Sequence, residues 1–378
     1  MIYITVKQSP TFHQLTLEEL LFNTYNGSLT EYKNGANTKT YERSSVSFRF
    51  EKGVNIWGLI ETLRGFNSSV ESLRSVERST LYKSFYIPKK TGGLRSINAP
   101  QPELMDALRR LKTIFEEQFH ALYHTSAFAY IKNRCTIDAI KRHQSNESKW
   151  FAKLDLHDFF GSTTLDFVMQ MFSMVYPFSE IVMYPVGKKA LQDALELAFL
   201  NGGLPQGTPI SPLITNIMMI PIDYKLSKGF RDFDRQRYIY TRYADDFIIS
   251  SRYEFDIHKV EGFVKETLAA FNAPFSLNEK KTRYGSSAGS NWNLGVMLNK
   301  DNEITIGHKK KRQFKSMLHN YIVDKQNGVQ WSKEDLYAIQ GLYSYYAMVE
   351  KDTIDAMIAH INEKMAVNVM KMIKNDLQ

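Results

Sequence analysis

The chain has 378 residues, 43% of them apolar and 23% charged, enough to bury a sizeable core in two or three substructures and too apolar for global disorder. A net charge of +8 and a pI near 9.1 favour a polyanionic partner, because basic side chains attract phosphate and release its counterions. The single cysteine, Cys135, excludes an intrachain disulfide framework and a Cys-rich zinc site. Met1 to Pro10 lacks the apolar stretch of a signal peptide, and no apolar run reaches the ~20 residues of a membrane span, so a reducing, cytoplasmic setting without membrane contact is expected.

Residues 1–53 read as an N-terminal extension of unassigned role. Met1 to Val6 has strand character, and Leu15 to Leu21 reads as a short helix with Thr16 as N-cap and Glu19 completing a capping box. Residues 26–45, rich in Asn, Gly, Ser and Thr, read as loop or turn. From Val54 two helical stretches precede Phe85. Residues 85–97 then read as strand, Gly92-Gly93 turn and strand, with basic residues around the tip. Leu104, Leu108, Leu111 and Phe115 carry the apolar spacing of a helix over 103–120.

Trp150 to Leu156 is a short, mostly apolar strand. Ser211 is the expected N-cap of a helix with Pro212 at its first position. Tyr238 to Tyr243 and Phe247 to Ser250 flank a tight acidic turn. Past Gly307 the chain reads as helix to the end: Ser332 with Asp335 marks one N-terminus, and Ile354, Met357, Ile358, Ile361 and Met365 form an apolar stripe. The reading is α+β with a helical C-terminal part.

Two elements carry chemistry. In Phe151-Ala152-Lys153-Leu154-Asp155-Leu156-His157-Asp158-Phe159-Phe160 an apolar strand ends in an acidic, aromatic tip. In Tyr243-Ala244-Asp245-Asp246-Phe247 two adjacent carboxylates sit between apolar strands. Joining a 3′-hydroxyl to a nucleoside triphosphate suits such a set: hard divalent metals want carboxylate oxygens, and two of them ~4 Å apart need shared ligands. An Asp-Asp pair by itself is ordinarily a solvated turn, so the weight lies in the combination and its order.

Tyr243-Ala244-Asp245-Asp246 resembles the signature of reverse transcriptases, those of bacteria above all, and five further blocks between about residues 80 and 320 agree in order. These are the 85–97 hairpin as fingertip, Asp155 to Phe160 as first catalytic motif, and Leu204-Pro205-Gln206-Gly207-Thr208-Pro209-Ile210-Ser211-Pro212 as the Gln-Gly…Ser-Pro loop. Leu277-Asn278-Glu279-Lys280-Lys281-Thr282 matches the Asn-x-x-Lys-Thr motif, and Leu294-Gly295 with Val296 to Asn299 the primer-grip hairpin.

The resemblance implies a right-hand polymerase: fingers and palm of antiparallel sheet packed on helices, and a helical thumb. Fingers are expected over 54–150, palm over 151–300 with part of the fingers inserted at about 161–215, and thumb over 301–378. Asp155, Asp245, Asp246 and the carbonyl of Leu156 would hold two Mg²⁺, with Mn²⁺ a possible substitute. Lys281 would be the proton donor to pyrophosphate, in a register one residue from Lys280. Phe160 would be the steric gate against a ribose 2′-hydroxyl, where its sequence position alone suggests a core ring. Phe159 and Asp158 would lie by the incoming nucleotide, Lys89, Lys90 and Arg95 on its triphosphate, and Gln206 at the nascent pair. Leu294 and Gly295, with the basic run Lys309, Lys310, Lys311, Arg312 and Lys315, would contact nucleic acid.

Departures narrow the type. No RNase H, endonuclease or maturase segment is expected beyond the thumb, unlike retroviral and full group II intron enzymes. Gln206-Gly207 differs from the Ser-Gln usual in diversity-generating retroelements. Retron enzymes carry Asn-Ala-x-x-His, of which Asp138-Ala139-Ile140-Lys141-Arg142-His143 is a partial echo, and Val-Thr-Gly, where this chain has Asn293-Leu294-Gly295. The compact form with its N-terminal extension is similar to defence-associated bacterial reverse transcriptases, which act with a structured non-coding RNA or a partner protein against phage. Expected partners are an RNA template, a DNA product and dNTPs, with a protein partner or second copy left open. The alternatives are a retron-type enzyme making RNA-linked single-stranded DNA, a non-catalytic nucleic-acid-binding scaffold, which the complete carboxylate set opposes, and an RNA-dependent RNA polymerase, which Phe160 opposes.

Overall fold

The computed structural model describes residues 54–88, 92–118, 123–287 and 295–378, and in the N-terminal region the strand residues 3–6, 32–34, 37–39 and 46–49. Those four strands are β1 (Tyr3–Val6), β2 (Tyr32–Asn34), β3 (Asn37–Lys39) and β4 (Val46–Arg49), with β1 antiparallel to β4 and β2 to β3. The stretch 26–45, expected as loop, therefore contains a small hairpin; strands of three residues are too short to show an alternating pattern. The helix expected over Leu15 to Leu21 lies outside the described residues.

Helix α1 (Ile56–Ser69) starts where the side chain of Asn55 accepts a bond from the Gly58 amide at 2.9 Å. Its inner face is Leu59, Ile60, Leu63 and Phe66, a 3.6-residue repeat. Strands β5 (Tyr82–Pro88) and β6 (Leu94–Pro100) pair with Phe85 opposite Ile97 and Ile87 opposite Arg95. In α2 (Pro102–Gln118), Leu104, Leu108, Leu111 and Phe115 are all fully buried, as their spacing predicts. Each such burial contributes roughly 1.5–3 kcal/mol before entropy is counted.

After α3 (Thr136–Ser145) come β7 (Trp150–Asp155), α4 (Leu165–Phe172), α5 (Pro185–Glu196), α6 (Ser211–Met218) and α7 (Ile220–Asp232). Then follow β8 (Ile239–Tyr243), β9 (Asp246–Ser251), α8 (Ile257–Ala270) and β10 (Arg283–Ser286). The central sheet has the order β10-β7-β9-β8. Ser211 is the first residue of α6 rather than its cap; the amide of Ser211 is taken by the Thr208 hydroxyl at 3.2 Å.

Spatial proximity divides the chain into two compact units, one of residues 1–132, 154–247 and 256–282, the other of 133–153, 248–255 and 283–378. The second contains β11 (Met297–Leu298), β12 (Ile304–Thr305), α9 (His308–Gln326), α10 (Lys333–Met365) and α11 (Val369–Leu377). Phe314, Leu318, Leu336, Ile339, Ile354, Ile358, Ile361 and Ile373 form its helical core. Ser332 caps α10, accepting from the Asp335 amide at 3.1 Å and donating to the Asp335 carboxylate at 2.7 Å. The helix is broken at Glu350 (φ −141°, ψ 61°), whose carboxylate accepts from the Ile306 amide at 3.1 Å and from Lys311 at 2.8 Å. His143 is fully buried in this unit, with Nδ1 2.6 Å from the Ser250 hydroxyl. No helix among the described residues is long and apolar enough to cross a membrane.

Candidate active site

The acidic residues of the two motifs meet in the first unit. Asp155 ends β7 and Asp246 begins β9, while Tyr243 ends β8. The Leu156 amide donates to the Asp245 carbonyl at 3.1 Å, which fixes the register of the two carboxylate-bearing segments. Ala244 adopts φ 56°, the left-handed backbone that lets β8 reverse into β9 and present two carboxylates in succession. The Asn278 amide donates to the Asp155 carbonyl at 2.7 Å, bringing the Lys281 segment alongside.

Asp155 is 5% exposed, and both of its oxygens accept from Lys281 Nζ, at 2.9 and 3.0 Å. Burial pushes the Asp245 carboxyl up to about 6; the neighbouring charges of Asp246 and Asp155 push the same way, and Lys281 opposes them. The donor set, three carboxylates and the Leu156 carbonyl, suits a hard divalent cation, and the crowding of negative charge on Asp245 is what such a cation offsets. As the side chains stand, no three His, Cys, Asp or Glu among the described residues form a ready-made cage, and Lys281 supplies the positive charge to Asp155. Lys280, the other candidate in that register, is exposed.

Around this centre the expected residues separate. Phe160 is half-buried, and its carbonyl accepts from the Leu204 amide at 2.9 Å. Phe159 is 2% exposed and packs on Phe275 with ring centroids 5.1 Å apart, so its ring belongs to the core and only its main chain is left to meet the nucleotide expected there. Asp158 is exposed and left-handed (φ 41°). A Cβ at Gly203 would meet the Gly161 carbonyl at 2.1 Å, so that backbone approach requires glycine, whereas one at Gly161 would meet the exposed Asp158 carboxylate at 2.4 Å and displace that side chain. The Gln206 carbonyl accepts from the Asn98 amide of β6 at 2.9 Å, and Arg95 on the same strand is exposed with no ion-pair partner among the described residues. Lys89 and Lys90 lie outside the described residues, as does Leu294.

In the second unit the basic run at the start of α9 divides. Lys310 Nζ donates to the Gly295 carbonyl at 2.7 Å, and Lys311 pairs with Glu350. Both ammonium groups, expected on nucleic-acid phosphate, are engaged inside the protein. Lys309, Arg312 and Lys315 are exposed and have no side-chain partner among the described residues. Gly295 itself has φ 92°.

Several residues escaped the sequence reading. Tyr130 is 61% exposed with φ 57°. Partial desolvation of this largely exposed residue raises its phenol pKa, Asp245 and Tyr243 add to the rise, and Arg95 opposes it, so the phenol stands within electrostatic reach of the acidic turn. Arg242, Asp223 and Asn216 are buried directly behind that turn. The signal available was Arg242 itself, the one charged residue in the strand Ile239–Tyr243 and two positions before Ala244.

The fold and the acidic centre are those of a nucleic-acid polymerase. Residues 87–320 match the family described as Reverse transcriptase (RNA-dependent DNA polymerase), more than half of the chain, and the chain belongs to that family. It is an RNA-directed DNA polymerase with the right-hand polymerase fold, of a family that uses divalent metal ions. It is 28% identical to the Retron Ec83 reverse transcriptase of Escherichia coli, over 78% of this chain and 90% of that one. It is also 28% identical to the Retron Ec73 reverse transcriptase of Escherichia coli, over 72% and 85%. The Retron Mx162 reverse transcriptase of Myxococcus xanthus is 31% identical over 47% of this chain and 37% of its own. Among solved structures, telomerase from Candida albicans in complex with a fragment of telomeric RNA aligns with TM-score 0.44 and 11% identity, covering 82% of this chain and 64% of that one.

Proposed function

We propose that the chain copies a structured non-coding RNA into DNA in the bacterial cytoplasm, as the polymerase of a retron-like, anti-phage system. The observation that carries the chemistry is the juxtaposition of Asp155 with Asp245 and Asp246 through the Leu156–Asp245 backbone bond. Asp155, Asp245, Asp246 and the Leu156 carbonyl would hold two Mg²⁺, for which Mn²⁺ could substitute. When bound, the ions lower the pKa of the primer 3′-hydroxyl and offset the charge of the triphosphate and of the departing pyrophosphate.

The remaining steps belong to the chain's own side chains. Arg95, with Lys89 and Lys90, grips the triphosphate through charge-assisted bonds. Phe160 fills the space a 2′-hydroxyl would need, and Asp158 and Gln206 border the nascent pair. Lys281, whose bond to Asp155 keeps it beside the acidic centre, gives a proton to pyrophosphate as it leaves. Leu294 and Gly295 seat the primer terminus, and the exposed cations of α9 follow duplex phosphate. Fingers, palm and thumb then span 54–150, 151–300 and 301–378, with residues 161–215 part of the fingers.

The likeness to retron reverse transcriptases favours a retron-type enzyme, for which RNA-linked single-stranded DNA is the product we expect. Sequencing the nucleic acid that copurifies with the protein, before and after ribonuclease treatment, tests this: a DNA whose mobility shifts on RNA digestion is expected, and DNA free of RNA would remove the retron-like reading. Loss of phage protection by an Asp245→Ala/Asp246→Ala strain is the corresponding test of the defence role. In vitro, the same double substitution is expected to abolish primer extension while leaving the thermal midpoint near wild type. Extension at wild-type rate by the folded double variant would overturn the metal site.

A further inference from the structure

Arg242 is 1% exposed and Asp223, on α7, is fully buried. The Asp223 carboxylate accepts from Arg242 Nε and Nη2, each at 2.8 Å, and from the Tyr240 hydroxyl at 2.8 Å. This fork-on-fork pair satisfies one side of the guanidinium. The remaining nitrogen, Nη1, donates to Asn216 Oδ1 at 3.1 Å and to the Ala244 carbonyl at 3.3 Å. Asn216, 2% exposed on α6, uses its Nδ2 to donate to the Ala129 carbonyl at 2.7 Å. A continuous buried path of hydrogen bonds thus runs from Ala129 through Asn216 and Arg242 to Ala244.

Both ends of the path adjoin strained backbone. Ala244 has φ 56° and the residue after Ala129, Tyr130, has φ 57°. Left-handed backbone is costly for residues with a Cβ and persists where the surroundings over-determine it. Main-chain bonds tie the same two segments: the Phe128 amide donates to the Arg242 carbonyl at 3.0 Å, and the Arg242 amide to the Ser126 carbonyl at 2.7 Å. One segment then delivers Asp245 and Asp246, the other the exposed ring of Tyr130.

We propose that Asn216 and Arg242 are positioning residues of the polymerase reaction: their buried hydrogen-bond path locks the Asp245–Asp246 turn and the segment presenting Tyr130 into one unit facing the incoming nucleotide. The inference rests on the metal-binding reading of that turn. Neither side chain touches substrate. Asn216 separates positioning from plain stability, because it is neutral and its loss leaves the Arg242–Asp223 pair whole.

The test uses the full chain and two measurements: Mn²⁺ binding without nucleic acid, followed by electron paramagnetic resonance, and primer extension titrated with Mg²⁺ and dNTP. Asn216→Ala is expected to weaken Mn²⁺ binding about 10-fold or more, the usual scale for groups that orient metal ligands. The dNTP and Mg²⁺ requirements rise with it, while a thermal melt shows the fold intact. Should Asn216→Ala or Arg242→Met fail to fold, the double variant Arg242→Met/Asp223→Leu removes both buried charges together and cuts the link to Ala244 without leaving an unpaired ion. It is expected to fold and to show the same loss of metal affinity. Metal and dNTP requirements within twofold of wild type in a folded variant would overturn the proposal. Asp245→Ala/Asp246→Ala run alongside separates the two readings: if it keeps Mn²⁺ binding, the metal site itself is wrong; if it loses binding while Asn216→Ala does not, only the positioning role falls.

Discussion

Reversal of Lys309, Arg312 and Lys315 to Glu asks whether α9 follows nucleic-acid phosphate. These three side chains are exposed and unpartnered among the described residues, so their charge is available to a polyanion. Each phosphate contact contributes about 0.7 to 0.9 to the magnitude of the slope of log K against log salt. Losing all three should therefore flatten that slope by roughly 2 to 3 units. Lys311 behaves differently. It is 19% exposed and Glu350 11%, so Lys311→Glu sets two carboxylates together away from water. That costs on the order of 3 kcal/mol of stability with little change in salt slope. The assay is anisotropy of a labelled RNA–DNA template-primer titrated at several KCl concentrations, with thermal melts of each variant. Single-turnover extension at saturating protein should stay near wild type, because the acidic centre is untouched. A folded triple variant with the wild-type slope would refute phosphate tracking by α9.

Phe160→Val should raise ribonucleotide incorporation relative to deoxynucleotide on one template; an unchanged ratio with activity retained would make Phe160 a packing residue. His143 gives a pH dependence: burial, with Arg142 adding to it, lowers its pKa from 6.5 to about 3, so the unfolded chain binds the proton and the folded chain does not. Its stabilisation is complete above pH ~6.5 and declines by about 1.4 kcal/mol per pH unit as pH falls toward 3, or roughly 2 kcal/mol lost at pH 5. Urea unfolding at pH 7 and pH 5 should show a smaller pH difference in His143→Gln than in wild type, and equal differences would exclude His143 as the cause.

The carboxylates were legible because their order and spacing are fixed by strand ends, and a helix such as α2 because four buried side chains repeat at its period. Other parts depend on contacts that sequence does not display. Lys310 and Lys311 look like their neighbours in a basic run, yet each residue turns the side chain by about 100°, and two of the five meet acceptors far along the chain. Phe159 and Phe160 are adjacent aromatics, and only the packing on Phe275 decides which is core. Arg242 would ordinarily read as exposed; its partner Asp223 is on another element. The retron likeness was muted in sequence by departures at 138–143 and 293–295, whereas similarity summed over most of the chain is carried by many weakly matching positions.

The break in α10 divides a 33-residue helix into two lengths with separate fates. Where Glu350 leaves helical backbone, the amides just beyond it lose their regular acceptors four residues back. Deuterium uptake will therefore enter this helix at its middle as well as at its ends. The two protected blocks on either side will open as separate units, each anchored by its own isoleucines: Ile339 before the break, and Ile354, Ile358 and Ile361 after it.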